Sequence, residues 1–397
     1  MTAILPGATL GVLGGGQLGR MFVHAAQRMG YFTAVLDPDP DSPAGRVSHH
    51  HIHTDYTDVD GLARLAGLAD AITTEFENVP APSLEHLAIA RPVAPAASAV
   101  AIAQDRIREK AHFTRCGVAC APHAVIETDE QAANVSPDLF PGILKTARLG
   151  YDGKGQRRVG TQAELTAAWA DAGGVPCVLE KMLPLDYECS VIVARGRDGQ
   201  MVNYPVQRNL HRDGILAVTE VHARNMPAST MRQATAAARS IADGLDYVGV
   251  LCVEFFVLAD GSLVVNEMAP RPHNSGHWTM DACDVSQFEM QVRTLAGLPL
   301  NTPRQHSPAI MLNLLGDLWF VEGDEPEGTR KAGAQVEPRW ADVLALPGTH
   351  LHLYGKTEAR RGRKMGHLNI TGDDLQTVRS TADFAAALLG LPIPLSE

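Results

Sequence analysis

The sequence predicts a multidomain fold that begins as a parallel α/β unit and continues as α+β. Three observations carry this reading. Strand and helix patterns alternate through the first hundred residues. From about residue 185 onward, strands come in pairs around Asp-Gly turns. At 397 residues the chain is long enough for two or three domains, each with its own core.

In order, Ala8–Leu13 is a short apolar run closed by glycines. Residues 17–29 have helical spacing, with Leu18, Met21, Phe22, Ala25 and Met29 on the face to be buried. Phe32–Leu36 is the next strand and ends at Asp37-Pro38, and Ala71–Thr74 is a third, running into Glu75-Phe76-Glu77-Asn78. Ligands of such a sheet sit beyond the carboxyl ends of its strands. The texture changes near Val118. Phe140–Lys145 and Pro176–Lys181 read as strands of a small lid, with a helix from Gln162 to Ala172 between them. Hairpins turn at Asp198-Gly199, Asp213-Gly214 and Asp260-Gly261, and helices fall near 229–245 and 285–295. The division expected is 1–117, 118–184, 185–300 and 301–397.

Composition narrows the function class. A net charge of −11 argues against a general nucleic-acid binder. Six cysteines without a C-x-x-C pair suggest reduced thiols, neither a disulfide frame nor a zinc site. No basic segment followed by an apolar run opens the sequence, and no stretch approaches the ~18 apolar residues of a membrane span. The expectation is a cytoplasmic enzyme with no membrane partner.

The Asp260-Gly261 turn is the most informative feature. With those two residues at its centre, Ala259 pairs with Ser262, and Glu254 falls directly across from Glu267. Opposed carboxylates repel, so the pair needs a shared proton or cation. Mg²⁺ accepts one or two carboxylates and completes its shell with water and phosphate. Asn266 precedes Glu267, and the donor-rich Arg271-Pro272-His273-Asn274-Ser275-Gly276-His277 follows.

Other constellations point to phosphate. Gly14-Gly15-Gly16-Gln17-Leu18-Gly19 satisfies G-x-G-x-x-G, which fits NAD(P), another phosphorylated ligand, or tight packing alone. Gly150-Tyr151-Asp152-Gly153-Lys154-Gly155-Gln156 describes a flap whose amides can cap phosphates, and Lys145 ends the strand before it. Glu180-Lys181-Met182-Leu183 closes a strand, either as an unexceptional strand end or as an edge whose backbone meets an adenine ring, with Glu188 downstream for a ribose. Lys356 and Arg360–Lys364 put cations beside glycines, which fits a phosphate or bicarbonate site or a solvated basic face. The run His49-His50-His51 with His53 lacks acids or cysteines at ligand spacing and reads as a polar loop.

Together these residues resemble the ATP-grasp superfamily, and within it the N5-carboxyaminoimidazole ribonucleotide synthetases of purine synthesis. The motifs are Gly14–Met21, Glu75–Val79, Gly150–Gln156, Asn266–His277 and Gly362–Leu368. The resemblance implies an ATP-grasp fold with a Rossmann-like N-terminal domain, a small β-rich C-terminal domain and a homodimer. It implies ATP and one or two Mg²⁺ ions, with Mn²⁺ able to substitute, as cofactors. It assigns Arg106, Lys145, Gly150–Gln156, Glu180, Lys181, Met182, Leu183, Glu188, His211, Asn266 and Glu267 to ATP, and Glu254 with Glu267 to the metal. It puts Tyr151, Asp152, Lys154, Arg271 and His273 around the reacting groups. Gly15, Gly16, Gln17, Leu18, Glu75, Asn274, Lys356, Arg363 and Lys364 would meet aminoimidazole ribonucleotide and bicarbonate. Two positions depart from many relatives: Ala269 stands where Asn is common, and Lys154 where some have Arg. A formate-dependent transformylase, an NAD(P)-dependent dehydrogenase and a nucleotide-sensing module are the rival readings.

Overall fold

A computed structural model describes residues 2–148, 150, 155–320 and 335–392. Their strands form three sheets. The first is parallel and holds β1 (Thr9–Leu13), β2 (Phe32–Asp37), β3 (His50–His53) and β4 (Ala71–Thr74) in the order β3-β2-β1-β4. Leu10, Val12, Leu13, Val35 and Leu36 are fully buried, as expected of strands covered on both faces. The helix Gln17–Arg28 buries Phe22, Val23 and Ala26 on one face. Val292, Leu295 and Ala296, from a helix far along the chain, join the same cluster.

The histidine run corrects the sequence expectation. It is a strand and not a loop: His50–His53 pairs in parallel with β2, and Ile52 is its buried side chain. Polar residues suffice on an edge strand whose ladder comes from one neighbour.

The second sheet takes β5 (His123–Ile126), β6 (Gly142–Thr146), β7 (Gln156–Val159) and β8 (Cys177–Lys181) in the order β5-β8-β6-β7. The helix Gln162–Asp171 packs Leu165, Ala168 and Trp169 against Leu144, Val159 and Leu179.

The third sheet is the largest. It contains β9 (Leu185–Arg195), β10 (Met201–Asn203), β11 (Gln207–Arg212), β12 (Ile215–Val221), β13 (Gly249–Leu258), β14 (Leu263–Ala269), β15 (Ala309–Leu315), β16 (Thr349–Leu353) and β17 (Lys364–Thr371). Its order is β14-β13-β9-β11-β12-β15-β17-β16, with β10 beside β9. The sheet therefore runs unbroken past residue 300. Cys189, Val191 and Val193 of β9 pack on Ala234, Ala238 and Ile241 of the helix Ala228–Gly244. The opposite face is polar near one end. Glu254 lies across from Ser190, Ser190 from Gln207, and Glu188 from Asn209, so these side chains share that face. Among the described residues no helix is long and apolar enough to cross a membrane.

Candidate active site

Glu254 and Glu267 are cross-strand partners, as the sequence predicts, but the route differs. At Asp213-Gly214 both residues take positive φ (52° and 77°), the requirement of a two-residue turn. In the other hairpin Gly261 is left-handed (φ 80°) and Asp260 is not. Leu258 N–H therefore donates to Ser262 O at 2.9 Å, and Phe255 pairs with Val265, one residue out of the expected step. A bulge between Glu254 and Phe255 restores the register, with Asn266 as the extra residue.

The two acids have different neighbours. Glu267 Oε2 accepts from Arg106 at 3.1 Å. Arg106 opens the helix Arg106–Arg115, whose N-cap Asp105 accepts from the amides of Ile107 and Arg108. Glu109 of the same helix accepts from Met268 N–H at 2.7 Å and so ties the helix to β14. Burial, then the charge of Glu267, pushes the Glu254 carboxyl up to about 7. Its Oε1 lies 3.3 Å from His273 Nε2. Burial and the Arg271 charge keep His273 well below the usual imidazole value. Its Nδ1 accepts from Ser275 N–H, so the neutral ring carries its proton on Nε2, toward Glu254. Behind it, Asn209 donates to Ser190 Oγ (2.8 Å), Ser190 to Ser275 Oγ (2.8 Å), and Ser275 meets His273 Nδ1 (2.9 Å).

Beside this pair, His211 Nδ1 is 2.8 Å from Glu188 Oε2. Burial lowers the His211 pKa, but the Glu188 hydrogen bond and the Glu254 charge outweigh it and leave it raised. Glu188, His211 and Glu254 bring one ligand atom each within 4.8 Å of one another. Asn266 Oδ1 is buried without a hydrogen-bond partner. The paired carboxylates of Glu254 and Glu267, and the idle amide oxygen on the residue before Glu267, are hard oxygen donors of the kind Mg²⁺ takes.

Glu180 is nearly fully buried, and its Oε2 accepts from Lys145 Nζ at 2.9 Å. Lys110 Nζ lies 3.0 Å from Oε1, an ion pair without hydrogen-bond alignment. Burial alone would raise this carboxyl, but the two ammonium groups overcome it and hold it at about 2. The Glu180 carboxylate is thus already engaged with lysines. Lys181 and Met182 N–H bond to Pro122 and Pro141, fixing the segment that leads to Leu183.

The two acid-containing N-terminal motifs serve different partners. Glu75 accepts from Gly16 N (2.9 Å) and Gly19 N (3.0 Å), and Asp37 accepts from Gly15 N (2.6 Å) and Tyr56 OH (2.6 Å). The amides that a dinucleotide phosphate would need are occupied by the protein's own carboxylates, and Asp37 is not free for a ribose. A Cβ at Gly16 would stand 2.7 Å from Glu75 Oε1, so close approach explains the glycine. Leu18 packs with Phe288 and Tyr354, while Gln17 begins the helix. Glu77 accepts a short hydrogen bond from Arg271 Nε.

Asn274 is buried, and neither its Oδ1 nor its Nδ2 has a partner. Lys356 Nζ donates to Lys364 O at 2.6 Å, and Arg363 donates to Glu358 O at 2.9 Å. The Lys364 charge reaches Glu77, Glu254 and His273, which puts it at the same site. Of the flap, Gly150, Gly155 and Gln156 are described; Gly155 O accepts from Thr146 N, and Gln156 pairs with Lys145. Tyr151, Asp152, Gly153 and Lys154 lie outside the described residues.

Three families match in succession: a ribonucleotide synthetase preATP-grasp domain over residues 7–104, an ATP-grasp domain over 111–288, and a phosphoribosylaminoimidazole carboxylase C-terminal domain over 309–381. The N5-carboxyaminoimidazole ribonucleotide synthase of Brucella melitensis is 44% identical over 92% of this chain and 97% of its own. The chain belongs to the N5-carboxyaminoimidazole ribonucleotide synthase family. The synthase of Pseudomonas aeruginosa is 39% identical over 96% of this chain and 99% of its own. A synthetase solved as its ADP complex superposes with a TM-score of 0.88 at 38% identity, covering 97% of this chain and 98% of that one. The synthase of Aspergillus clavatus, solved with ADP and aminoimidazole ribonucleotide, gives 0.85 at 30% identity, covering 96% and 98%.

Against that family background, sequence reasoning missed Lys110, Glu77 as an individual residue, and the Asn209–Ser190–Ser275 chain. An acid or lysine at ordinary helical or loop spacing gives no signal. Only tertiary packing brings Lys110 to Glu180.

Proposed function

We propose that this chain uses ATP and bicarbonate to carboxylate aminoimidazole ribonucleotide on its exocyclic amine, releasing ADP and phosphate. The observation that carries the reading is the paired Glu254 and Glu267 with Asn266, set beside Arg106, Lys145 and His273 in a family of synthases. Bicarbonate attacks the γ-phosphate to give carboxyphosphate, and the substrate amine then captures the carboxyl group or the CO₂ released from it.

Arg106 and Lys145 neutralise the nucleotide phosphates, assisted by the flap residues 150–156. The strand end Glu180–Leu183 meets the adenine through its backbone, with Glu188 and His211 near the ribose. Glu254, Glu267 and Asn266 would hold Mg²⁺ or Mn²⁺, which supplies positive charge to the β- and γ-phosphates. Arg271 and His273, with Tyr151, Asp152 and Lys154 of the flap, surround the reacting groups. Asn274 offers two idle hydrogen-bonding atoms to the imidazole ribonucleotide, alongside Glu75, Lys356, Arg363, Lys364 and the Gly15–Leu18 segment. Positioning and charge neutralisation in a dry site carry the catalysis. The working assembly is a cytoplasmic homodimer.

The test is phosphate release with ATP, bicarbonate and aminoimidazole ribonucleotide, leaving out each in turn and substituting formate for bicarbonate. Release that needs all three and ignores formate supports the reading. Release with formate alone overturns it in favour of a transformylase.

A further inference from the structure

We infer that Gln287 is a positioning residue for the reaction, acting through His273. This rests on the role proposed above for His273. Gln287 is fully buried at the start of the helix Gln287–Ala296. Its Oε1 accepts from His273 N–H at 2.9 Å, and its Nε2 donates to His273 O at 2.7 Å. One amide thus takes both backbone groups of one residue, as a paired strand would. The amide orientation is fixed, because the His273 N–H requires an oxygen. The second Nε2 hydrogen meets His277 Nδ1 at 3.1 Å, so every donor of the side chain is used inside the loop it holds.

The surroundings are built for this contact. A Cβ at Gly276 would lie 2.5 Å from Gln287 Oε1, a side-chain end that its three bonds prevent from moving aside. Thr279 Oγ1 accepts from Gln287 N–H at 3.0 Å and donates to Gly276 O at 2.6 Å, which locks the base of the side chain to the same loop. The helix itself is anchored on the N-terminal sheet through Val292, Leu295 and Ala296. Gln287 therefore transmits the position of a rigid element to the His273 backbone. From there the His273 ring spans Ser275 and Glu254.

The experiment measures kcat and the KM for ATP in Gln287→Met, His273→Ala and the double variant. The assay follows ADP release dependent on aminoimidazole ribonucleotide, with melting temperature and ADP binding as folding controls. Gln287→Met is expected to lower kcat by about 100-fold with little change in the KM for ATP. In the His273→Ala background the same substitution should change kcat by less than about twofold, because residues acting as one unit are non-additive. An unchanged kcat in Gln287→Met, or an equal loss in both backgrounds, overturns the assignment while leaving the role of His273 intact. Full activity in His273→Ala overturns the role of His273 and this inference with it. Should Gln287→Met not fold, Gln287→Glu, which keeps the acceptor and loses the donor, carries the same comparison.

Discussion

Glu254 and Glu267 face each other only because Asn266 bulges out of the ladder between them and the turn. Were Asn266 paired in the ladder instead, Glu254 would face Asn266, and Glu267 would fall opposite Val253 on the other face. Asn266, the extra residue, has a buried Oδ1 without a hydrogen-bond partner. Asn266→Ala keeps this register and removes only the idle amide oxygen, so it should weaken Mg²⁺-dependent ADP release by about 10-fold while leaving the protein folded. Circular dichroism and initial rates against Mg²⁺ concentration check this together, and an unchanged Mg²⁺ dependence would refute a metal-facing role for the Asn266 oxygen.

The Lys110–Glu180–Lys145 cluster is a stability element as well as part of the proposed nucleotide site. Lys110→Met leaves Glu180 with a single ammonium partner and should cost about 3 kcal/mol in urea denaturation.

Acid titration gives a second signature of the same cluster. The Glu180 carboxyl is held at about 2, below its ordinary 4.5, so its stabilisation is present above pH ~4.5 and is lost as pH falls toward ~2. The stability gap between the wild-type protein and Glu180→Gln should shrink as pH drops from about 5 to about 3, by up to ~2 kcal/mol. A gap independent of pH would mean that Glu180 is not held ionised by the two lysines.

Arg271 is tied through Nε to Glu77 and donates through Nη1 to Pro272 O. Lys at this position keeps the charge but cannot make the Nε contact while reaching the same place. Arg271→Lys should lower kcat by about 100-fold with the KM for ATP nearly unchanged. A kcat close to wild type would show that charge alone suffices.

At the N-terminal glycine motif, Gly16→Ala should destabilise the protein by about 1–3 kcal/mol, because its methyl would press on the Glu75 carboxylate. NADH should bind no more tightly to the variant than to the wild type, since Asp37 and Glu75 already occupy the amides. Thermal melts and NADH fluorescence check both statements.

The sequence made the hairpin acids and the α/β opening legible because each rests on local chemistry. Asp-Gly at a turn and strand–helix alternation both act within a few residues. The bulge was not legible, since nothing in Asn266 itself announces an unpaired position. The contents of the glycine motif were half-legible: Asp37 ends β2 and Glu75 follows β4, the strands flanking β1, so both can reach the glycine amides that follow β1. Lys110 and Gln287 were hidden because helical spacing does not tell a buried polar side chain from a solvated one. The joining of β15, β16 and β17 to the central sheet was hidden for a related reason, as strand order is set by non-local pairing.

The most direct test of the central claim is the rate of ADP release dependent on aminoimidazole ribonucleotide in Glu267→Gln at saturating Mg²⁺. Loss of about 100-fold or more, with the fold intact, is the expected result. Turnover close to the wild-type rate would contradict the claim that these facing carboxylates serve a cation at the nucleotide's terminal phosphates.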